Sequence, residues 1–415
     1  MNYQDSYRDY NSRTDAKAIR RIWLECGWID DLDSDGPHVT EFFEGAEDAL
    51  VATIDGEAEC AVHSTHGTLK YQQEDLSMGA VTAVTTSRVA RKLGFARELT
   101  ARMLARQVAA GHVVSALGMF EQGFYDKLGF GTGCYEQLIK FDPSTLMIDR
   151  DFRPPKRLTS KDFEAIYYAM THRKTSHGNV NVLSKSVLKA DLDMIENSFG
   201  LGYYDGPRGS LSHFVFGSNK GEHGPFQIAY RAYQNDDQLM ELLALIKSLG
   251  DQINIVDTLE FGEFQLQDLL KQPFRTRRAT ENSRYANKST SLAYWQARIL
   301  DLNGCLAKTH LDTPPLSFNL ELTDPVTSSL PAESNWQGVG GSYIVNLGQT
   351  CSAEPGQNQA LPLLKASVNA FTRAWLGVRP ASQLAVTTDL SAETALLAKL
   401  DRSFSLPKPH LGWDF

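Results

Sequence analysis

The chain has 415 residues, a hydrophobic fraction of 42% and a formal net charge of −9 at pH 7. This composition is typical of a globular protein, and the length predicts more than one domain. The acidic balance argues against a nucleic-acid-binding protein. No apolar run reaches the ~18 residues of a membrane span, and the polar N-terminus does not resemble a signal peptide. We therefore expect a cytoplasmic protein with no membrane partner.

The first 148 residues alternate helical and extended patterns. Residues 16–26 are predicted to be helical, with Asp15 as a candidate N-cap and Gly27 as a candidate stop. Phe95, Leu99 and Met103 recur every four residues, which predicts a second helix that ends near residue 111. The strands predicted in this segment cover residues 49–54, 59–63, 79–86 and 112–117. The segment is predicted to be a mixed α/β domain.

Two breaks divide the rest of the chain. The Pro154-Pro155 pair lies among charges and predicts a linker, and a polar stretch at 282–291 predicts a second boundary. The expected domains are therefore 1–148, 149–290 and 291–415. The elements predicted beyond the first break are a helix over 238–247, strands over 252–259 and 295–302, mostly loop over 329–360, and a helix over 361–375.

The stretch VTAVTTSRVARKLGFAR, residues 81–97, changes from a strand to a helix through Arg-x-x-Gly-x-Ala. A helix N-terminus presents unpaired N–H groups and a positive dipole end, so it suits a phosphate. Gly94 would let the backbone approach that phosphate, and Arg91, Lys92 and Arg97 would add charge. Taken alone, the same residues also fit an ordinary surface turn.

A second motif follows a predicted strand at FEQGFYDKLGFGTG, residues 120–133. The order of strand, R-x-x-G-x-A, helix, strand and F-Y-x-K-L-G-F resembles the GNAT acyl-coenzyme A transferases. The resemblance is closer still to the acetyltransferases of the enhanced intracellular survival (Eis) type. It rests on three segments of the chain, AVTAVTTSRVARKLG, ELLALIKSLGDQINIVDTLEF and WQARILDL. The resemblance implies an α/β (α+β) chain with two tandem GNAT-like domains and a sterol-carrier-protein-like C-terminal domain. It also implies a homohexamer.

The resemblance assigns roles residue by residue. Tyr125 would be the general acid, and the carboxylate of the terminal Phe415 would be the general base. The residues expected to contact acetyl-CoA are Val84, Thr85, Thr86, Arg91, Lys92, Leu93, Gly94, Phe95, Ala96, Arg97, Phe120 and Glu121. Three of these positions depart from the family pattern: Thr86 replaces a valine, Leu93 an arginine and Phe120 a serine. Tyr125 could equally be a structural tyrosine, and Phe415 an apolar terminus packed on its own domain.

An acidic run with Asp30 and Asp31 follows Trp28, and in the resembled family this region lines a pocket for polyamine-like substrates. The acidic run is equally consistent with a solvated loop. Asp414 would add negative potential beside the terminal carboxylate. A dinucleotide site is not predicted, because GFGTG at 129–133 lacks the spacing of the dinucleotide-binding motif. A metal site is not predicted either, because the five scattered cysteines and the pair His63 and His66 form no metal-ligand pattern.

The sequence thus predicts an acetyl-CoA-dependent N-acetyltransferase with no metal. Its acceptor would be an amine of an aminoglycoside-like or polyamine-like molecule or a lysine side chain. A neutral amine would attack the thioester, so the reaction needs a proton acceptor for the amine and a proton donor for the thiolate. The second domain lacks R-x-x-G-x-A and is expected to be non-catalytic. The alternative is a non-catalytic protein that senses coenzyme A or binds an apolar ligand.

Overall fold

The computed structural model describes residues 7–45, 48–262, 264–273, 278 and 280–413. Contacts divide the chain into two compact units. The first unit comprises Met1–Cys134, His177–Ser184 and Tyr294–Phe415, and the second comprises Tyr135–Ser176 and Lys185–Ala293. The division into three domains at residues 148 and 290 remains a prediction. None of the helices in the described ranges combines the length and the apolar character needed to cross a bilayer.

The elements follow in chain order. The strands are β1 Tyr7–Asp9, β2 Asp48–Ile54, β3 Glu57–Tyr71, β4 Glu74–Thr86, β5 Val114–Gly118, β6 Gly131–Thr132, β7 Glu136–Phe141, β8 Lys156–Leu158, β9 Val180–Val182, β10 Ser198–Tyr203, β11 His213–Asn219, β12 Phe226–Ala232, β13 Val256–Leu259, β14 Lys288–Leu292, β15 Trp295–Ile299, β16 Leu316–Thr323, β17 Gly341–Leu347, β18 Ser352–Pro355, β19 Leu363–Ser367 and β20 Ser391–Ala392. The helices are α1 Ser12–Cys26, α2 Gly36–Glu44, α3 Phe95–Ala109, α4 Gln122–Asp126, α5 Phe163–Thr171, α6 Lys185–Met194, α7 Asp236–Ser248, α8 Leu302–Ala307, α9 Val368–Trp375, α10 Ala381–Thr387 and α11 Thr394–Ser403.

The larger sheet of the first unit has the order β1-β2-β3-β4-β5-β15-β6, and β9 pairs with β3. Strands β4 and β5 are parallel, and α3 connects them. Helix α3 buries Phe95, Leu99 and Met103 in the same core as Leu50 and Val62 of β2 and β3. The four-residue apolar spacing that predicted this helix therefore marks the face that packs on the sheet.

Helix α1 begins four residues earlier than the sequence predicted. Asn11 is its N-cap and accepts a hydrogen bond from the backbone N–H of Arg13, so the prediction of Asp15 as the cap is wrong. Asp15 instead lies in the first turn, buried, and accepts two hydrogen bonds from the guanidinium of Arg8, at 2.6 and 2.8 Å. Gly27 ends the helix in the left-handed conformation with φ of 73°, as predicted.

The second unit contains a seven-stranded sheet with the order β14-β7-β13-β12-β11-β10-β8. Strands β12 and β13 are parallel and are connected through α7, the same strand–helix–strand arrangement as β4, α3 and β5. Leu239, Leu242 and Leu243 of α7 are buried in the core of this unit. The predicted helix at 238–247 is confirmed, whereas the strand predicted over 252–259 is shorter than predicted and begins only at Val256.

The smaller sheet of the first unit has the order β18-β17-β16-β19-β20. One prediction is wrong here, because 361–375 begins with β19 before α9 starts. Residues 329–360 are mostly loop, as predicted, but they also contain β17 and β18. In β17, the buried Val345 and Leu347 alternate with the half-buried Ile344 and Asn346, which is a strand pattern. The surrounding glycines, serines and prolines obscured that pattern in the composition of the whole stretch.

Candidate active site

Strands β4 and β5 pair over four residues and then separate. Their parallel pairing ends at Val81 opposite Leu117, although β4 continues to Thr86. Ala83 has a left-handed backbone with φ of 51°, and the register of β4 against β3 shifts at this point. An extra residue of this kind bends a strand and locally interrupts its ladder. Beyond Val81, β4 therefore has no pairing with β5.

The three predicted pantetheine-contacting residues lie beyond this bulge. Thr85 and Thr86 pair with β3 on one side only, and Val84 is buried in the core next to them. Among the described residues, β5 supplies no ladder partner to this part of β4. The edge of β4 that faces away from β3 is therefore not paired with β5 at residues 84–86.

The loop between β4 and α3 leaves the start of the helix open. Gly94 is the N-cap, with φ of 92°, and no side chain caps the first turn. A Cβ added to Gly94 would meet no atom within 4 Å, so the space directly beside this glycine is open. Lys92 is also left-handed, with φ of 65°. This arrangement fits a phosphate group, because first-turn N–H groups and the helix dipole both favour an anion there.

The cations expected at this loop are exposed. Arg91, Lys92 and Arg97 all lie at the surface, and the ion pairs found in the described part of the chain include none of them. Leu93, which replaces a cation of the family pattern, is 43% exposed. Phe95 and Ala96, by contrast, are turned into or against the core. The loop thus offers three unneutralised positive charges around an open helix end.

Tyr125 lies on α4, a single helical turn, and is only 2% exposed. Its ring packs edge-on against Phe120, Phe124 and Phe130, with centroid distances of 5.8, 4.9 and 6.1 Å. Burial in this aromatic surrounding raises the pKa of Tyr125 well above its usual value, because the phenolate would be poorly solvated. The hydroxyl is therefore protonated at neutral pH and is available to donate a proton or a hydrogen bond.

The structure brings Tyr125 and the end of β4 into one core. Both Tyr125 and Val84 belong to the cluster that also contains Phe95. The Cys60 thiol belongs to the same cluster, and its sulfur lies 3.2 Å from the Thr86 hydroxyl. Burial raises the pKa of Cys60 itself to about 12, so this neutral thiol is not a nucleophile.

Two further predicted contacts have a defined place next to Tyr125. Phe120 is 71% exposed, immediately before α4. The Glu121 carboxylate accepts a hydrogen bond of 3.1 Å from the backbone N–H of Gly123 and so caps α4. Glu121 therefore stabilises the turn that carries Tyr125, a role that the sequence motif did not reveal.

The acidic run forms a loop that binds its own backbone. Asp35 accepts hydrogen bonds from the N–H groups of Asp30 and Asp31, each at 3.1 Å, and Asp31 accepts from Ser34. These bonds lower the pKa of Asp31 and of Asp35 and keep both carboxylates ionised. The loop follows α1, whose Cys26 lies 3.8 Å from the Thr86 carbonyl oxygen. The acidic loop therefore begins a few residues after a contact with the end of β4.

Trp28 stands at the start of this loop. Its ring is 43% exposed and packs edge-on against the buried Trp23, with a centroid distance of 5.2 Å. An exposed indole beside acidic side chains is a suitable surface for an organic cation.

The proposed general base lies outside the described residues, as does Asp414. The described chain leads towards the larger sheet before it reaches them. The Leu411 carbonyl accepts a hydrogen bond from Val180 in β9, and the Asn179 side chain donates to the His410 carbonyl at 2.6 Å. Trp413 is buried. Residues 410 and 411 thus contact the segment that pairs with β3.

His63 has surroundings that the sequence did not indicate. It lies on β3 opposite Thr82, one residue before the β4 bulge, and its ring packs between Phe42 and Phe43 at 4.6 and 5.6 Å. Burial lowers the pKa of His63 to about 3, so its imidazole is neutral across the physiological range.

One ligand-like cluster lies elsewhere, in the second unit. Oxygen and nitrogen atoms of Asp205, His213 and Glu241 come within 4.8 Å of one another. Arg153 donates to both carboxylates, at 2.6 and 2.8 Å, and so provides the positive charge that a metal would otherwise supply. This cluster is an internal ion-pair network.

Comparisons with known proteins agree with this geometry. Residues 33–133 match the acetyltransferase (GNAT) domain family. No curated protein matches the chain in a sequence comparison. Similar solved structures include a probable N-acyltransferase from Enterococcus faecalis V583 (17% identity, TM-score 0.78), a GCN5-related N-acetyltransferase from Anabaena variabilis (15%, 0.77) and Eis1 from Mycobacterium abscessus (14%, 0.73).

Each of the three similarities covers 99% of this chain and at least 99% of the other chain. At these identities the likeness establishes the shared fold over the full length. The domain match covers the bulge of β4, the open start of α3 and the turn that carries Tyr125. Residues 33–133 are therefore a GNAT acetyltransferase domain, and the prediction of an acetyltransferase is confirmed at the level of this domain.

Proposed function

We propose that the protein transfers an acetyl group from acetyl-CoA directly to an amine. The observation that carries this proposal is the pairing of two features on one strand–helix unit. Strand β4 is not paired with β5 beyond its bulge, and the space beside Gly94, the N-cap of the following helix α3, is open. Together they fit a long ligand with an extended amide-containing arm and a pyrophosphate.

The first unit's own residues would hold acetyl-CoA as follows. The backbone of Val84–Thr86 would hydrogen-bond the pantetheine amides as an added strand does. The N–H groups of residues 92–97 would hold the pyrophosphate, assisted by Arg91 and Arg97. Backbone groups would make most of these contacts. We therefore expect Thr86 and Leu93, which depart from the family pattern, to preserve acetyl-CoA binding, with a loss mainly in the electrostatic contribution to affinity.

Tyr125 would act as the general acid. The amine nitrogen forms a bond to the thioester carbonyl carbon, and the carbon–sulfur bond breaks with its electron pair on sulfur. The hydroxyl of Tyr125, kept protonated by its burial, gives its proton to that sulfur. The Phe415 carboxylate would accept the proton that the amine nitrogen loses. These steps leave acetylated amine, free thiol, a tyrosinate and a protonated terminal carboxyl group. Before the next turnover the tyrosinate takes up one proton from solvent and the carboxyl group releases one.

The acceptor would be a cationic small molecule of aminoglycoside or polyamine type, or a lysine side chain. Trp28, Asp30 and Asp31 would attract it, because the loop is acidic and begins near the end of β4. Asp414 and the terminal carboxylate would extend the same negative potential. The proposal further includes a cytoplasmic location, a homohexameric assembly and a sterol-carrier-protein-like fold for residues 291–415.

The test is thiol release from acetyl-CoA with polyamines, aminoglycosides and lysine peptides as acceptors. The wild-type chain would be compared with Tyr125→Phe and with a chain extended by one glycine after Phe415. We expect turnover to fall by about 10²- to 10⁴-fold in Tyr125→Phe while acetyl-CoA binding is retained. Unchanged turnover in the extended chain would refute the terminal-carboxylate base. Calorimetric binding of coenzyme A without turnover of any amine would instead identify a coenzyme A sensor.

A further inference from the structure

The turn that carries Tyr125 is too short to be stable without tertiary contacts. We call residues 122–132, which comprise α4 and the chain up to the end of β6, the Tyr125 turn. The carbonyl of Tyr125 accepts hydrogen bonds from the N–H groups of Leu128 and Phe130, at 2.9 and 3.2 Å. Helix α4 has only five residues, and an isolated helix of one turn is unstable in water. Its geometry must come from tertiary contacts.

Arg298 of β15 supplies one of these contacts. Its side chain is fully buried, and one guanidinium nitrogen donates to the Leu128 carbonyl of the Tyr125 turn. The other terminal nitrogen donates to the Asp324 carboxylate at 2.6 Å. Asp324 is equally buried and is itself held by the N–H groups of Val326 and Val339, at 3.2 and 2.9 Å. Arg298 thus connects a rigid carboxylate of the smaller sheet to the Tyr125 turn.

The fit around Arg298 is close. A Cβ added to Gly129 would lie 2.7 Å from the Arg298 Nη1 atom, and Gly129 has φ of 82°. Only glycine combines that backbone conformation with this approach. The Tyr125 turn and the guanidinium are therefore matched to each other in shape as well as in hydrogen bonding.

Two amide side chains hold the same turn. Gln296, also on β15 and fully buried, donates to the Asp126 carboxylate at 2.8 Å and to the Thr132 hydroxyl at 3.1 Å. Asn369 at the start of α9 donates to the Asp126 backbone carbonyl at 3.3 Å. Asp126 is the residue next to Tyr125. All three donors come from the segment that follows residue 294, and all belong to the first unit.

We propose that Arg298, Gln296 and Asn369 are positioning residues that hold the Tyr125 hydroxyl at the reacting thioester. This inference rests on the proposed role of Tyr125. The C-terminal segment thereby sets the efficiency of proton donation through donors that lie outside residues 33–133.

Stability alone does not account for this arrangement. A buried ion pair loses hydration free energy that its mutual attraction often fails to recover, and apolar residues of similar size frequently give an equal or higher stability. Burial lowers the pKa of Arg298, and the Asp324 carboxylate opposes that shift. What an apolar pair could not do is donate a hydrogen bond to a carbonyl in the Tyr125 turn.

The test compares Arg298→Lys with Arg231→Lys in the full chain. Lysine keeps the charge beside Asp324 but lacks the second, forked donor for Leu128. Arg231 is the matched control, since its guanidinium also donates to backbone, at 2.8 Å to the Glu260 carbonyl, but lies in the second unit. For Arg298→Lys we expect kcat to fall by about 100-fold, the effect of misplacing a catalytic group by an ångström, with both KM values unchanged.

The pH profile separates positioning from general destabilisation. A loosened Tyr125 turn exposes the phenol to water, so the alkaline limb of kcat should move to lower pH in Arg298→Lys and not in Arg231→Lys. Asn369→Leu, which removes one donor and leaves no buried charge, should lower kcat by about fivefold. Unchanged kcat and an unchanged alkaline limb in both Arg298→Lys and Asn369→Leu would overturn the proposal.

Hydrogen exchange distinguishes this inference from the proposed function. Exchange at the amides of Leu128 and Phe130 should accelerate in Arg298→Lys, while the amides of α3 keep their protection. If wild-type protein acetylates no amine but exchange still accelerates as expected, the proposed function fails and the contact of Arg298 with the Tyr125 turn stands. If wild type is active and exchange and kcat do not change, the positioning inference alone is wrong.

Discussion

Replacing His63 should remove a defined part of the protein's acid sensitivity. In the native state burial holds the pKa of His63 at about 3, whereas in the unfolded chain it returns to about 6.5. The unfolded state therefore binds one more proton than the native state between these values. The resulting stability is fully present above pH 6.5 and is lost as the pH falls towards 3.

The magnitude follows from the size of this interval. At pH 4.5 the medium is two pH units below the unfolded-state value, and each unit corresponds to about 1.36 kcal/mol, which gives a loss of about 2.7 kcal/mol relative to neutral pH. His63→Leu keeps an apolar side chain of similar volume between Phe42 and Phe43. The variant should lack this contribution, while every other titrating group is common to both proteins and cancels in the comparison.

The assay is urea unfolding of wild type and His63→Leu at pH 7.5 and pH 4.5, followed by tryptophan fluorescence. All six tryptophans lie in the first unit, so the signal reports the unit that contains His63. We expect the difference in unfolding free energy between the two proteins to change by about 2.7 kcal/mol in favour of the variant on acidification. The same pH dependence in both proteins would refute the reasoning.

Three further outcomes are expected. Gly94→Val should weaken coenzyme A binding in calorimetry and leave the helical circular dichroism unchanged, because a β-branched residue strains the left-handed N-cap of α3; equal affinity would contradict an open helix end as the anion site. Leu93→Arg should tighten coenzyme A binding in low salt and lose the gain in high salt, since it adds an exposed charge to the loop; a salt-independent gain would exclude this electrostatic origin. Leu99→Ala should lower the unfolding free energy by about 2–5 kcal/mol in tryptophan-monitored urea titration, because Leu99 is fully buried; a loss below about 1 kcal/mol would show that the site can collapse.

The strand–helix part of the site could be predicted because its signals are local. The spacing of Phe95, Leu99 and Met103 and the glycine before them lie within a short window, and the structure has α3 where they place it. The bulge at Ala83 could not be predicted, since an alanine with positive φ leaves no mark in composition.

Long-range contacts were beyond the reach of the sequence. Arg298 and Leu128 are 170 positions apart, and nothing in either segment marks the other as its partner. Near the N-terminus the error was smaller and had a local cause. Asn11 and Asp15 are both good capping residues. In the structure Asp15 pairs with the Arg8 guanidinium, and Asn11 caps the helix.

The position of β15 has a consequence for how the chain is made. This strand lies between β5 and β6 in the larger sheet, and β6 pairs with no other strand in the described part of the chain. During synthesis, residues 135–293 leave the ribosome before β15 does, so the second unit can complete its own sheet first. After the end of the acetyltransferase domain, about 160 more residues must be synthesised, at 5–20 residues per second, before β15 can pair with β5. For that interval β5 is an open edge, and a chaperone that covers exposed strands would have its clearest target there.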